Sequence, residues 1–201
     1  MIDALFGSKT RVKLLHLFLN HPGQSFYVRE ITRLVDEQIN SVRRELSNML
    51  EVGVILSNNA DNKLYYEVNQ RYDYYLALRA IFANEAIDAP ATPKKKDEDT
   101  FSEQYADVIT SISSLRLAIV AGVLVPGSQS PVDVLLVGTL APAKVKAAIQ
   151  MIEKLEGREL NYSVMPYEDF YYRLSIRDRF ITEILKNKHT VIVDKDNALS
   201  Q

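Results

Sequence analysis

Ile39-Asn40-Ser41-Val42-Arg43-Arg44-Glu45-Leu46-Ser47-Asn48-Met49-Leu50 is the stretch on which the fold turns. Ile39, Val42, Leu46, Met49 and Leu50 recur at the spacing that lines one side of an α-helix. At about 100° per residue, Asn40, Ser41, Arg44 and Asn48 fall on the opposite side. Arg43 falls beside the apolar stripe. One side can enter a core. The other offers amide, hydroxyl and guanidinium groups, which match base edges and phosphates in the major groove of a duplex.

The neighbouring segments extend this pattern. Phe26 to Val35 predicts a preceding helix with Ser25 as N-cap, its buried side marked by Val28, Ile31, Leu34 and Val35. Asp36-Glu37 forms the turn between the two helices. Further upstream, a helix begins near Ser8 and stops at His21-Pro22-Gly23. Downstream, Gly53 stands where a helix needs positive φ to end. Val54 to Leu56 and Leu64 to Val68 are strand candidates around the turn cluster Asn58 to Asn62. Arg71 to Asn84 reads as a further helix with little polar surface. Such a helix can pack on its twin in a dimer or on the first helix of its own chain.

Composition narrows the function classes. With 201 residues, one large domain or two small ones fit. A formal net charge of −2 argues against wholesale polyanion binding. Residues 1–84 hold ten Lys/Arg against nine Asp/Glu, a net of +1, so any DNA contact must come from a local patch. The absence of cysteine excludes disulfides, thiol catalysis and Cys-based metal sites. Three scattered histidines, His16, His21 and His189, make no convincing metal site. No apolar run approaches membrane-spanning length and no signal peptide is recognisable, so the expected location is cytoplasmic.

Helix, helix, helix, hairpin is the order of a winged helix. Val35-Asp36-Glu37-Gln38-Ile39-Asn40-Ser41-Val42-Arg43-Arg44-Glu45-Leu46, followed by Leu50-Glu51-Val52-Gly53-Val54-Ile55, resembles the arsenic-repressor-like winged helix-turn-helix transcription regulators. Asp36 replaces the usual glycine of the turn, a mild departure because Asp tolerates left-handed backbone. The resemblance implies that Gln38, Asn40, Ser41 and Arg44 face bases or nearby phosphates, and Asn48, on the same polar side of the helix, is counted with them. It implies that Arg43 holds a phosphate, and that the wing, with Asn59 and Lys63, touches the adjacent backbone.

Residues 85–100 combine Ala89-Pro90-Ala91-Thr92-Pro93 with Lys94-Lys95-Lys96 and Asp97-Glu98-Asp99, the composition of a linker. Residues 101–201 alternate helix and strand. Helices are expected over Phe101–Ser113, Ala143–Leu155, Tyr167–Leu174 and Arg179–Asn187. Strands are expected over Leu115–Ala121, Val132–Val137, Leu160–Val164 and Thr190–Val193. Gly122-Val123-Leu124-Val125-Pro126-Gly127 followed by Ser130-Pro131-Val132-Asp133-Val134-Leu135-Leu136-Val137-Gly138 resembles the core of the minimal nucleotidyltransferases. In that family two carboxylates one residue apart on a strand, with a third from a neighbouring strand, hold divalent metal against a nucleoside triphosphate. Here Val123 stands in place of the phosphate-binding serine and Pro131 in place of the first carboxylate. Asp133 alone matches, and Leu160 to Val164 supplies no acid.

The expected fold class is α+β: a winged helix over residues 1–84, a linker over 85–100, and a mixed α/β, degenerate nucleotidyltransferase-like domain over 101–201. The expected function is DNA-binding transcription regulation, with the second domain inactive and used for sensing or assembly. Double-stranded DNA and a second copy of the chain are the expected partners. No cofactor, metal, catalytic residue or membrane contact is expected, and the sequence names no effector. The alternatives are an active nucleotidyltransferase guided by the winged helix, and a protein–protein adaptor.

Overall fold

The computed structural model describes residues 5–60, 62–84 and 105–199 of an α+β chain that divides into two units, 1–92 and 93–201. The linker expected over 85–100 lies outside the described residues. In the first unit, α1 (Lys9–Asn20) is followed by β1 (Phe26–Tyr27), α2 (Val28–Val35), α3 (Ile39–Val52), β2 (Ile55–Ala60), β3 (Lys63–Val68) and α4 (Tyr75–Phe82). Ser8 caps α1, its Oγ accepting from the Arg11 amide at 3.2 Å. Asp36 ends α2 at φ 49° and Gly53 ends α3 at φ 85°, both left-handed, as the sequence requires at those turns.

Leu34, expected on the buried side of α2, is 57% exposed, and three further expectations change here. Phe26 and Tyr27 form a strand rather than the first turn of α2, because they pair antiparallel with Tyr66 and Tyr65. Ser25 therefore caps nothing, and α2 starts after Tyr27 without a side-chain cap. The hairpin is tighter than its turn-forming residues suggest. Pairing runs out to Ala60 opposite Lys63, so Asn58 and Asn59 lie in β2. The helix expected over Arg71–Asn84 contracts to Tyr75–Phe82.

The sheet order is β1-β3-β2. Its inner face gives Phe26, Ile55, Tyr66 and Val68 to a core with Leu14, Phe18, Ile31, Val42, Leu46 and Met49. The helix α4 adds Tyr75 and Phe82 to the same core, so its inner side packs within the chain. His16 and Asn20 of α1 fix its C-terminal end at the Phe82 carbonyl, at 2.9 and 3.0 Å.

The second unit holds β4 (Leu115–Val120), β5 (Val134–Gly138), α5 (Pro142–Glu156), β6 (Tyr162–Met165), α6 (Tyr167–Ser175), α7 (Arg179–Lys186) and β7 (Thr190–Asp194). Of the helix expected over 101–113, residues 105–110 are helical and 111–113 have already left the helix. The sheet order is β6-β5-β4-β7, with β4 antiparallel to both neighbours and β5 parallel to β6. Parallel neighbours need a crossover, and α5 supplies it, with Pro142 in its first turn. One sheet face packs Val120, Val134 and Leu136 against Ile109, Ile149 and Ile152. The other packs Ile119, Leu135 and Val137 against Phe170, Ile181 and Ile184. The apolar run of β5 is thus covered on both sides, as buried strands are. No helix among the described residues is long and apolar enough to cross a membrane.

Candidate nucleic-acid interface

The helix α3 buries Val42, Leu46 and Met49 and exposes Asn40, Ser41, Arg43, Arg44 and Ser47. Gln38, directly before it, is also exposed. Ser47 is one helical turn beyond Arg43 and Arg44 and belongs to the same ridge. Its spacing is readable in the sequence, although it is not among the residues expected at the interface. Asn48 is half-buried and hydrogen-bonds the Glu45 carboxylate, so its amide is partly committed inside the chain.

Two acidic groups close to the ridge, Glu37 and Glu45, are tied back by α1, whereas Glu51, two turns beyond Arg44 on α3, is exposed. Burial pushes the Glu45 carboxyl up, but hydrogen bonds from Ser8 and Arg11 outweigh it and hold the group below its ordinary value. Arg11 Nε meets Glu45 Oε2 at 2.9 Å. Lys13 reaches the end of α2. Its ammonium donates to the Val35 and Asp36 carbonyls at 2.8 and 3.3 Å and pairs with Glu37 at 2.8 Å. A cation at that position suits the helix C-terminus, and its hydrogen bond lowers the Glu37 pKa. These links fix the angle between α2 and α3. Arg43 and Arg44 make no ion pair with the described residues. Positive charge is therefore left uncancelled on the ridge of a unit whose net charge is near zero.

The hairpin runs back beside α3. Arg43 lies about 15 Å of helix before Gly53, and Ser57 about 13 Å of strand after it. The two levels coincide: burial raises the Tyr66 phenol, which pairs with Ser57, and the Arg43 guanidinium draws it back down. Cross-strand partners share a sheet face. Asn59, opposite Leu64, is thus on the inner face that continues from Tyr66 toward α3. Lys63, opposite Ala60, is on the outer face, with its ammonium 5.2 Å from the Tyr27 ring centroid. The two wing residues chosen from sequence therefore point to opposite sides of the sheet.

In the second unit, the positions that resemble a nucleotide-binding loop are closed on themselves. Asp133, one residue before β5, is 1% exposed. Its Oδ1 accepts from the Val123 amide and its Oδ2 from the Asn161 amide, both at 2.8 Å. The Gly122 amide donates to Ser128 Oγ at 3.0 Å. The Leu124 and Val125 amides donate to the Ala121 and Gly122 carbonyls. Four successive backbone donors that could cradle a phosphate are already paired. Among the described residues no group of three or more His, Cys, Asp or Glu is placed to hold a metal ion.

Comparison with protein-family models, with curated proteins and with solved structures gives no match to this chain. The fold and the two sites define its class only as a two-unit α+β protein.

Proposed function

We propose that the chain is a DNA-binding transcription regulator. Residues 1–84 act as a winged helix-turn-helix domain, with α3 as the helix that enters the major groove. Residues 101–201 act as a nucleotidyltransferase-like domain without transferase activity, used for sensing or assembly. One observation carries the DNA reading. The α3 ridge presents Asn40, Ser41, Arg43, Arg44 and Ser47 together, while Glu37 and Glu45 are neutralised by Lys13 and Arg11. A ridge with free guanidinium and amide groups and tethered carboxylates suits phosphates and base edges. The self-paired loop around Asp133 supports the inactive reading of the second unit.

Duplex binding by the full chain, measured by anisotropy over a range of salt, tests the proposal. Affinity should fall as salt rises, because phosphate contacts release counterions. Arg44→Ala should cost about 1–3 kcal/mol if Arg44 reads a base. Salt-independent binding, or an unchanged affinity in Arg44→Ala, would remove α3 from the contact.

A further inference from the structure

The outer face of the first-unit sheet has a chemistry of its own. Phe26, Tyr66 and Val68 point into the core, so Tyr27, Lys63, Tyr65 and Glu67 point outward with their β2 partners Leu56, Asn58 and Ala60. The Tyr27 and Tyr65 rings meet edge to face at 6.1 Å. Lys63 stands against the Tyr27 ring, and Arg33 Nη2 from α2 donates to the Tyr27 hydroxyl at 3.3 Å. Beside them opens a cleft of about 190 Å³, lined by Ser25, Asn58, Ala60, Tyr65 and Glu67. The Glu67 carboxylate has no hydrogen bond or ion pair with the described residues.

We propose that this face binds an unstacked nucleotide whose base carries an amino group, either free or within a single strand. Each part of such a ligand meets a matching group. A half-exposed tyrosine offers a stacking surface for the base. Glu67 only accepts hydrogen bonds, as an exocyclic amine requires, and Asn58 and Ser25 can donate to ring nitrogens and carbonyls. Lys63 and Arg33 gather at Tyr27, whose ring meets that of Tyr65, and supply positive charge for the phosphate. A duplex offers no unstacked base, so the ligand differs from the one proposed for α3. Tyr65 and Glu67, which carry this reading, have no part in the α3 ridge, so the two readings can fail separately.

The test uses the full chain with labelled oligo-dC, oligo-dT and duplex DNA in anisotropy titrations. Oligo-dC should bind at least about tenfold more tightly than oligo-dT, since only cytosine has the amine. Glu67→Gln should erase that preference. Tyr65→Ala should weaken both single strands by about tenfold and leave the duplex unchanged. Glu67→Gln is a near-isosteric change at a half-buried position, so it keeps the test decisive if Tyr65→Ala fails to fold. Cytidine monophosphate at millimolar concentration separates the sources: competition with oligo-dC supports a free-nucleotide site, and retained oligo-dC binding supports a strand. Equal binding of the two strands that ignores Glu67→Gln and Tyr65→Ala would overturn the proposal. So would single-strand binding abolished by Arg44→Ala, which would assign it to α3.

Discussion

Asp133 is a carboxylate whose two oxygens are already spoken for by backbone amides. Through them it ties the loop after β4 to the start of β6, across the β4–β5 connection. Gly122 is part of the same arrangement. It sits at φ +53°, and a Cβ there would fall 2.1 Å from Asp133 Oδ1. Asp133→Asn places an NH2 group against either the Val123 or the Asn161 N–H, donor facing donor. The expected cost is about 2–3 kcal/mol in denaturant unfolding, because a buried donor is left unpaired. The wild-type chain, given magnesium and labelled nucleoside triphosphates, should transfer no label to protein or nucleic acid. Transfer that disappears in Asp133→Asn beyond what unfolding explains would make Asp133 a metal ligand and reverse the reading of the second unit.

At the scale of elements, the first unit depends on α1 as a brace. Arg11 and Lys13, two residues apart, hold Glu45 of α3 and Glu37 of the turn. Both carboxylates have folded-state pKa values below the ordinary 4.5. Their contribution is therefore complete above that value and is lost as pH falls through the lowered one. Glu45→Gln should destabilise the unit by about 1 kcal/mol at neutral pH. Hydrogen exchange of the α1 and α3 amides should accelerate accordingly, and the difference from wild type should vanish well below pH 4.5. An unchanged neutral-pH exchange rate would deny the brace. None of this was readable in the sequence, since Arg11 and Glu45 are ordinary charged residues far apart in the chain. By contrast, α3, the left-handed ends of α2 at Asp36 and of α3 at Gly53, and nearly every element from β4 to β7 were legible. Their signals are local: apolar period, caps and turn residues. The sequence reading missed β1 because two residues carry no period, and only pairing with Tyr65 and Tyr66 makes Phe26 and Tyr27 a strand. It placed Asn58 and Asn59 in a turn on their type, although hairpin register holds them in β2. That same register sends Asn59 and Lys63 to opposite faces.

For the whole molecule, charge alone would not bring this chain to DNA. Its formal charge is −2, and each copy offers only Arg43 and Arg44 as unpaired cations on the α3 ridge. Two guanidiniums neutralise few phosphates, so the proposed binding to DNA calls for two copies on two half-sites. The outer side of α4 suits that association. Tyr74 is 65% and Ile81 52% exposed, with Ala80 exposed beside them, on a helix whose other side is already in the core. Aromatic and aliphatic side chains of this kind gain most from burial against a like surface. Ile81→Lys places a charge in that contact from each copy. Light scattering should then report a dimer for wild type and a monomer for the variant. The slope of log affinity against log salt should change with it. At about −0.9 per phosphate contact, four arginines in a dimer give a slope near −3 to −4, and two in a monomer about −2. A wild-type chain that is monomeric both free and on DNA, or a slope that Ile81→Lys leaves unchanged, would show that the apolar side of α4 does not join two copies and that the ridge must work alone.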